Sequence, residues 1–323
     1  MTGQRVLISG MGGELGSRVA ALLEAEPWVG AIEGIDLDPP RRRLRRAHFH
    51  RIEPHDRRRM VDVVTRFDPH LVLHLGVYEP NARANPAKAR ERSRDASLGV
   101  LGAAAECPSL EGIVVRSGIE VYGRHRNAPT RPDEEVAPHP TTTFGHLMLQ
   151  AEELAHEAAA TVGCPVTAVR LASVVGPHVP SPLGRYLRLP VVPMSVLADP
   201  AFSLVHVEDA ARALVAACST RWNGPVNVVA PGAVTTYQAV RLGGRVPLPL
   251  FGPEWMLARA ITAAAGAPVP DHVLELVHRG RTADGSLAHH ALGLSPVSTT
   301  PDVVKALYKW ATVTHLTPVK AVA

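Results

Sequence analysis

"RVLISGMGGELGSRVAALLEAEP", residues 5–27, decides the fold. It opens with RVLISG, a short apolar run ending in glycine, as in a strand buried on both faces. From Glu14 the spacing becomes helical: Leu15, Val19, Leu22 and Leu23 share a face, and Pro27 ends the segment. Gly10, Gly13 and Gly16 lie three apart between the two patterns. Gly10 permits the tight turn out of the strand, Gly13 lets a phosphate approach the backbone, and Gly16 lets the helix lie close to the sheet. The helix start adds unbonded N–H groups and a partial positive charge. A lone glycine triplet is weak. Between a buried strand and an amphipathic helix it points to a dinucleotide held by its pyrophosphate, with Gly10, Gly13, Glu14, Leu15 and Gly16 around it.

The alternation continues downstream. AIEGID (31–36) reads as a second strand, and DRRRMVDVVTRF as a helix with Met60, Val63 and Val64 inward. HLVLHLG (70–76) reads as a third strand, GIVVRSG (112–118) as a fourth and PVTAVRLA (165–172) as a fifth, with helices between. The pattern predicts an α/β protein with a Rossmann-type, doubly wound parallel sheet. After Pro177 the prolines crowd, and strand and helix return at FSLVHVEDAARALVAAC and GPVNVVAPG. The expected division is a dinucleotide-binding domain over residues 1–176 that also receives 201–231. A discontinuous substrate lobe takes 177–200 and 232–323.

Asp36 ends the second strand 20 residues past Gly16, where a carboxylate accepts the ribose hydroxyls of the adenosine half. That favours NAD. The arginines at 41–43 lie beyond Pro39-Pro40 and could instead receive the 2′-phosphate of NADP. Gly76, at the end of the strand over 70–76, completes the expected cofactor set.

The 323 residues are 46% apolar and 20% charged, which excludes a largely disordered chain. The formal charge of +4 is concentrated in RRRLRRAHFHR (41–51), read as a solvated loop or helix face because no nucleic-acid motif accompanies it. Three scattered cysteines fit a reducing compartment rather than a disulfide framework. No run approaches the roughly 20 apolar residues of a membrane span. No signal-peptide pattern opens the chain, and a cytoplasmic location is expected.

Several stretches together resemble the extended short-chain dehydrogenase/reductases, the branch of nucleotide-sugar epimerases and dehydratases. They are SGMGGELG, HLVLHLG, SGIEVYG, VRLASVVGP (with Leu171 where that family has proline), LVHVEDAARAL and LGLSPVSTTPDVVKAL. The likeness is nearest to an actinobacterial subgroup labelled UDP-galactose 4-epimerase-like. It implies a small C-terminal substrate domain, a nucleotide-sugar ligand, and a homodimer paired through helices near 91–106 and 144–161.

It also implies three catalytic groups: a tyrosine, a lysine four residues on, and a serine or threonine near a Val-Tyr-Gly. Carried onto this chain, those positions are Phe144, Met148 and Gly118. Phenylalanine has no proton to give, methionine no charge, and glycine only its backbone. The residues expected to substitute are Ser117 and Tyr122, with Tyr78 and Glu79 behind them. His146 lies about 200° around the helix from Phe144 and faces away. Arg51 stands near an acid position of that family and Ala96 at an asparagine position, while Arg185 could meet a diphosphate. The expected outcome is a cofactor-binding protein of little or no ordinary activity, a sensor or scaffold. The alternative is an active enzyme with a relocated acid–base group. Sixteen histidines include the pairs His48/His50, His70/His74 and His289/His290, but none has clear ligand spacing with Cys, Asp or Glu, so no metal is expected.

Overall fold

The structure is a computed structural model that describes residues 3–80, 85–195, 197–250, 260, 269–294 and 297–309. Residues 251–259, 261–268 and 310–323 of the expected substrate lobe therefore lie outside the described residues.

Seven strands form the central sheet: β1 (Gln4–Ser9), β2 (Val29–Asp36), β3 (Ala47–Arg51), β4 (Leu71–His74), β5 (Gly112–Gly118), β6 (Val166–Leu171) and β10 (Gly224–Val228). Their order is β10-β6-β5-β4-β1-β2-β3, and every pair is parallel. The order reverses between β1 and β4, so a crevice opens above the carboxyl ends of those strands. The central strands β1, β4, β5 and β6 are almost wholly buried, as their apolar runs require.

Helices cover both faces. α1 (Glu14–Leu23) packs on α6 (Val207–Thr220), while α2 (Arg57–Phe67), α3 (Pro86–Ala104) and α4 (Thr143–Val162) pack in series. The Thr142 side chain accepts from the Gly145 N–H at 3.2 Å, and α4 ends at Gly163, whose φ of +80° suits glycine. Between those ends Phe144, Met148, Ala151 and Ala155 fall on one buried face.

The basic run 41–51 differs from its reading as a loop or helix face: residues 47–51 are the edge strand β3, with Phe49 packed against the core. HLVLHLG accordingly holds the fourth strand in chain order, not the third.

A second apolar cluster joins distant pieces of chain. α5 (Pro182–Leu187) supplies Leu183 and Leu187, and α7 (Thr236–Leu242) supplies Ala239 and Val240. α8 (Asp271–Arg279) adds Val273 and Leu276, and α10 (Thr300–Lys309) adds Val303 and Leu307. β8 (Val191–Ser195) pairs with β11 (Val246–Leu250), and β7 (Ser173–Val175) with β9 (Leu204–His206). Of residues 201–231, α6 and β10 join the large sheet, while Phe202 and Leu204 belong to the second cluster. α9 (Leu287–Leu292) returns to the first cluster. α8 brings one side of the second cluster against the N-terminus of α4.

Candidate functional site

One cleft runs from the glycine loop, past Asp36, to Phe144 and α8. Gly10 has φ +85°, a left-handed value that glycine adopts freely, at the turn out of β1. A Cβ on Gly16 would lie 2.1 Å from the Gly10 carbonyl oxygen, whereas one on Gly13 would meet nothing closer than 3.5 Å. Gly13 is therefore open toward the cleft, and Gly16 is wedged between helix and turn. Side chains cap α2 to α7 (Asp56, Asn85, Thr142, Ser181, His206 and Thr235). No side chain caps α1, whose N-cap is Gly13. An uncapped helix start beside an open glycine fits a pyrophosphate. Glu14 adds a negative charge there, but it is bonded to the buried Arg18 at 2.8 Å.

Asp36 lines the same cleft. Its Oδ2 accepts from the Gly12 N–H at 2.8 Å, and its Oδ1 from the Leu37 N–H at 2.6 Å. Burial raises its pKa against these bonds. The Tyr78 hydroxyl points to its Oδ1 at 3.5 Å. The carboxyl group is thus fixed at this end of the cleft. Arg41 lines the cleft too, a cation of the kind that pairs with phosphate oxygens. Leu15, Gly16 and Gly76 complete this end.

At the other end Phe144 and Met148 line the cleft, 4% and 2% exposed. The space above Gly118 is filled: a Cβ there would lie 2.3 Å from Glu120 Oε2. Glu120 is buried and held by the buried Arg281 at 3.1 Å, which also bonds Glu275 at 2.5 Å. Against Phe144 lies His272, with ring centroids 4.7 Å apart. His272 Nε2 meets Glu79 Oε1 at 2.9 Å, and Nδ1 faces Asp271 Oδ1 at 3.7 Å. Burial alone would lower the His272 pKa; the carboxylates of Asp271 and Glu79 outweigh it and raise the pKa to about 9. Asp271 accepts from the Thr143 N–H at 3.0 Å, which ties α8 to the start of α4, and its own pKa is pulled down. Arg116 lines the cleft and gives Nη1 to the Val77 carbonyl at 3.3 Å.

The expected substitutes are placed differently. Tyr122 is not among the cleft-lining residues: its hydroxyl donates to Asn227 Oδ1 at 2.9 Å and accepts from Arg170 at 3.0 Å. Ser117 touches the cleft, yet its hydroxyl is given to Glu152, itself paired with Arg170 at 2.8 Å. Both belong to a buried network behind β5. Glu79 reaches the cleft, and Tyr78 serves the Asp36 end. His146 is exposed on the far face of α4. Arg51 gives its Nε to the Leu37 carbonyl at 3.0 Å, and Ala96 is buried beside Gly76. Arg185 does not line the cleft.

Sequence reasoning missed His272, Glu120, Arg116 and Arg281. The available signal was a histidine four residues before Leu276, on the apolar stripe of DHVLELVHR.

The family model described as NAD dependent epimerase/dehydratase family matches residues 6–229. A curated, uncharacterized protein of Mycobacterium tuberculosis (strain ATCC 25618 / H37Rv) is 27% identical over 306 residues, covering 91% of this chain and 81% of that protein. Among solved structures, UDP-glucose 4-epimerase of Thermus thermophilus in complex with NAD aligns with a TM-score of 0.74 at 19% identity, over 96% of this chain and 99% of that one. MoeE5 in complex with UDP-glucose and NAD aligns with a TM-score of 0.73 at 23% identity, over 95% and 98%. These two likenesses concern the fold. The family match reaches from β1 through β10 and takes in the whole glycine loop, and the chain belongs to the NAD dependent epimerase/dehydratase family.

Proposed function

We propose that this chain binds NAD and a nucleotide sugar in this cleft, and does so without the tyrosine–lysine proton transfer of its family. Gly10, Gly13 and Gly16 with the amides of α1 would hold the pyrophosphate, and Asp36 the adenosine ribose. Bound NAD supplies a hydride acceptor. The observation that carries the reading is the burial of Phe144 and Met148 in the very cleft that the uncapped α1 opens into. General acid–base catalysis is worth typically about 10²–10⁴-fold, so ordinary turnover falls to a trace and the protein acts as a nucleotide sensor or scaffold. The substrate lobe is assigned to the second apolar cluster, and a homodimer to the exposed faces of α3 and α4. Three free cysteines are in keeping with a cytoplasmic setting. Calorimetry with NAD and NADP tests the first half: binding of NAD supports it, and no heat with either at millimolar concentration removes it. The second half is tested by supplying UDP-glucose with NAD to the wild type and to Phe144→Tyr/Met148→Lys. Turnover confined to the double variant supports it; rapid turnover by the wild type refutes it.

A second reading is favoured by one observation, the His272–Glu79 pair against the Phe144 ring. In it, the proton that the family's tyrosine handles is handled by His272, which holds a proton at neutral pH. An active wild type whose rate falls by about 10²-fold or more in His272→Gln, with NAD affinity unchanged, would select this reading over the first.

A further inference from the structure

The edge of the sheet carries a second constellation, remote from the cleft residues Phe144 and His272. β2 and β3 run parallel with Glu33 opposite His48 and Ile35 opposite His50. Residues two apart on a strand share a face, so His48 and His50 project together, with Glu33 beside them on the neighbouring strand. His48 Nδ1 lies 3.1 Å from His50 Nε2, which lies 2.8 Å from Glu33 Oε2. All three candidate ligand atoms fall within 4.8 Å of one another.

We propose that Glu33, His48 and His50 form a binding site for a divalent transition-metal ion such as Zn²⁺ or Ni²⁺. Ligands about 2.0–2.1 Å from a tetrahedral ion sit about 3.3 Å from each other. The contacts of 3.1 and 2.8 Å therefore need to open by a few tenths of an ångström, and Glu33 and His48, within 4.8 Å of each other, need to settle at the same spacing. Two imidazoles and a carboxylate suit zinc, nickel or copper rather than magnesium or calcium. The Glu33 and His50 side chains are 21% and 12% exposed, and His48 is exposed. The site is thus backed by protein on one side and open on the other, where water completes the coordination.

The surrounding basic run does not occupy it. Arg46 gives Nη2 to the Val29 carbonyl, and Arg51 gives Nε to the Leu37 carbonyl. The amides of Arg45, Arg46 and Ala47 bond Glu24 at 2.7, 2.6 and 2.9 Å, which fixes the start of β3. Among the described residues no arginine pairs with Glu33. The bound ion pins the edge strand to β2, the strand that ends in Asp36.

The test uses tag-free protein titrated with ZnCl₂ and NiCl₂, with MgCl₂ as control, by calorimetry and by thermal unfolding. Wild type should take up an equivalent of zinc or nickel that His48→Gln, His50→Gln and Glu33→Gln bind at least about tenfold more weakly. Its unfolding temperature should rise with the ion, and those of the variants should not. Equal unfolding of all four proteins without metal shows that the variants fold. Absence of binding by wild type overturns the proposal. So does uptake unchanged by the three substitutions, which would place the ion at another histidine pair such as His125/His139.

Discussion

His272→Gln makes the most direct probe of the Phe144 end of the cleft. The native imidazole is 3% exposed and holds its proton through Glu79 and Asp271. Its folded pKa of about 9 lies above the ordinary 6.5. A group raised in this way stabilises the fold fully below pH 6.5 and loses that contribution as pH climbs through about 9. A shift from 6.5 to about 9, at 1.36 kcal/mol per unit, corresponds to about 3 kcal/mol. The three cysteine thiols, all raised by burial, titrate in the same direction at high pH. The informative quantity is therefore the difference between wild type and variant, since glutamine keeps a donor toward Glu79 but cannot titrate. Urea unfolding at pH 6, 7.5 and 9.5 should give a wild-type advantage of about 3 kcal/mol at the lowest pH, shrinking below about 1 kcal/mol at the highest. A difference that stays constant across the range would show that His272 is not charged in the folded protein, and the second reading of the cleft would go with it.

Three further outcomes are expected. Gly13→Ala should cost only about 1 kcal/mol in unfolding, because alanine caps a helix less well than glycine, yet lose NAD in calorimetry. Gly16→Ala meets the Gly10 carbonyl oxygen at 2.1 Å and should destabilise the domain itself; equal behaviour of the pair would refute the loop assignment. Asp36→Asn should weaken NAD by about 10- to 100-fold, from loss of about 1.5–3 kcal/mol of charge-assisted bonding, and narrow the preference over NADP because Arg41 remains. Glu152→Ala leaves the buried Arg170 without its carboxylate and should cost about 3–5 kcal/mol in chemical unfolding. The apolar double replacement Glu152→Leu/Arg170→Met should recover most of that, and a double variant as unstable as the single would contradict the account.

Much of this molecule was legible before any coordinates. A buried strand, a glycine turn and an amphipathic helix are local patterns, and Gly10, Gly16 and Asp36 sit where those patterns put them. The pairing of Phe144 with Met148 on one helical face follows from spacing alone. β3 escaped because an edge strand must be polar on its open side, so AHFHR shows no continuous apolar run. With β3 went the site at Glu33, whose members face each other across two strands. His272 and Glu79 are 193 residues apart and Arg281 and Glu120 are 161 apart, contacts that only the docking of α8 creates. Tyr122 looked available because it ends a strand beside the cleft; the deciding fact is its bond to Asn227, 105 residues away.

The crowding above Gly118 sets a direction on how this protein can change. A new side chain at that position must displace a carboxylate already clamped by Arg281, so a serine there alone would be crowded. Shortening Glu120 would make room, and would remove one of the two carboxylates, Glu120 and Glu275, that hold the buried Arg281. A side chain at position 118 is therefore crowded unless Glu120 changes with it. The two positions are coupled: what can stand at 118 depends on what stands at 120.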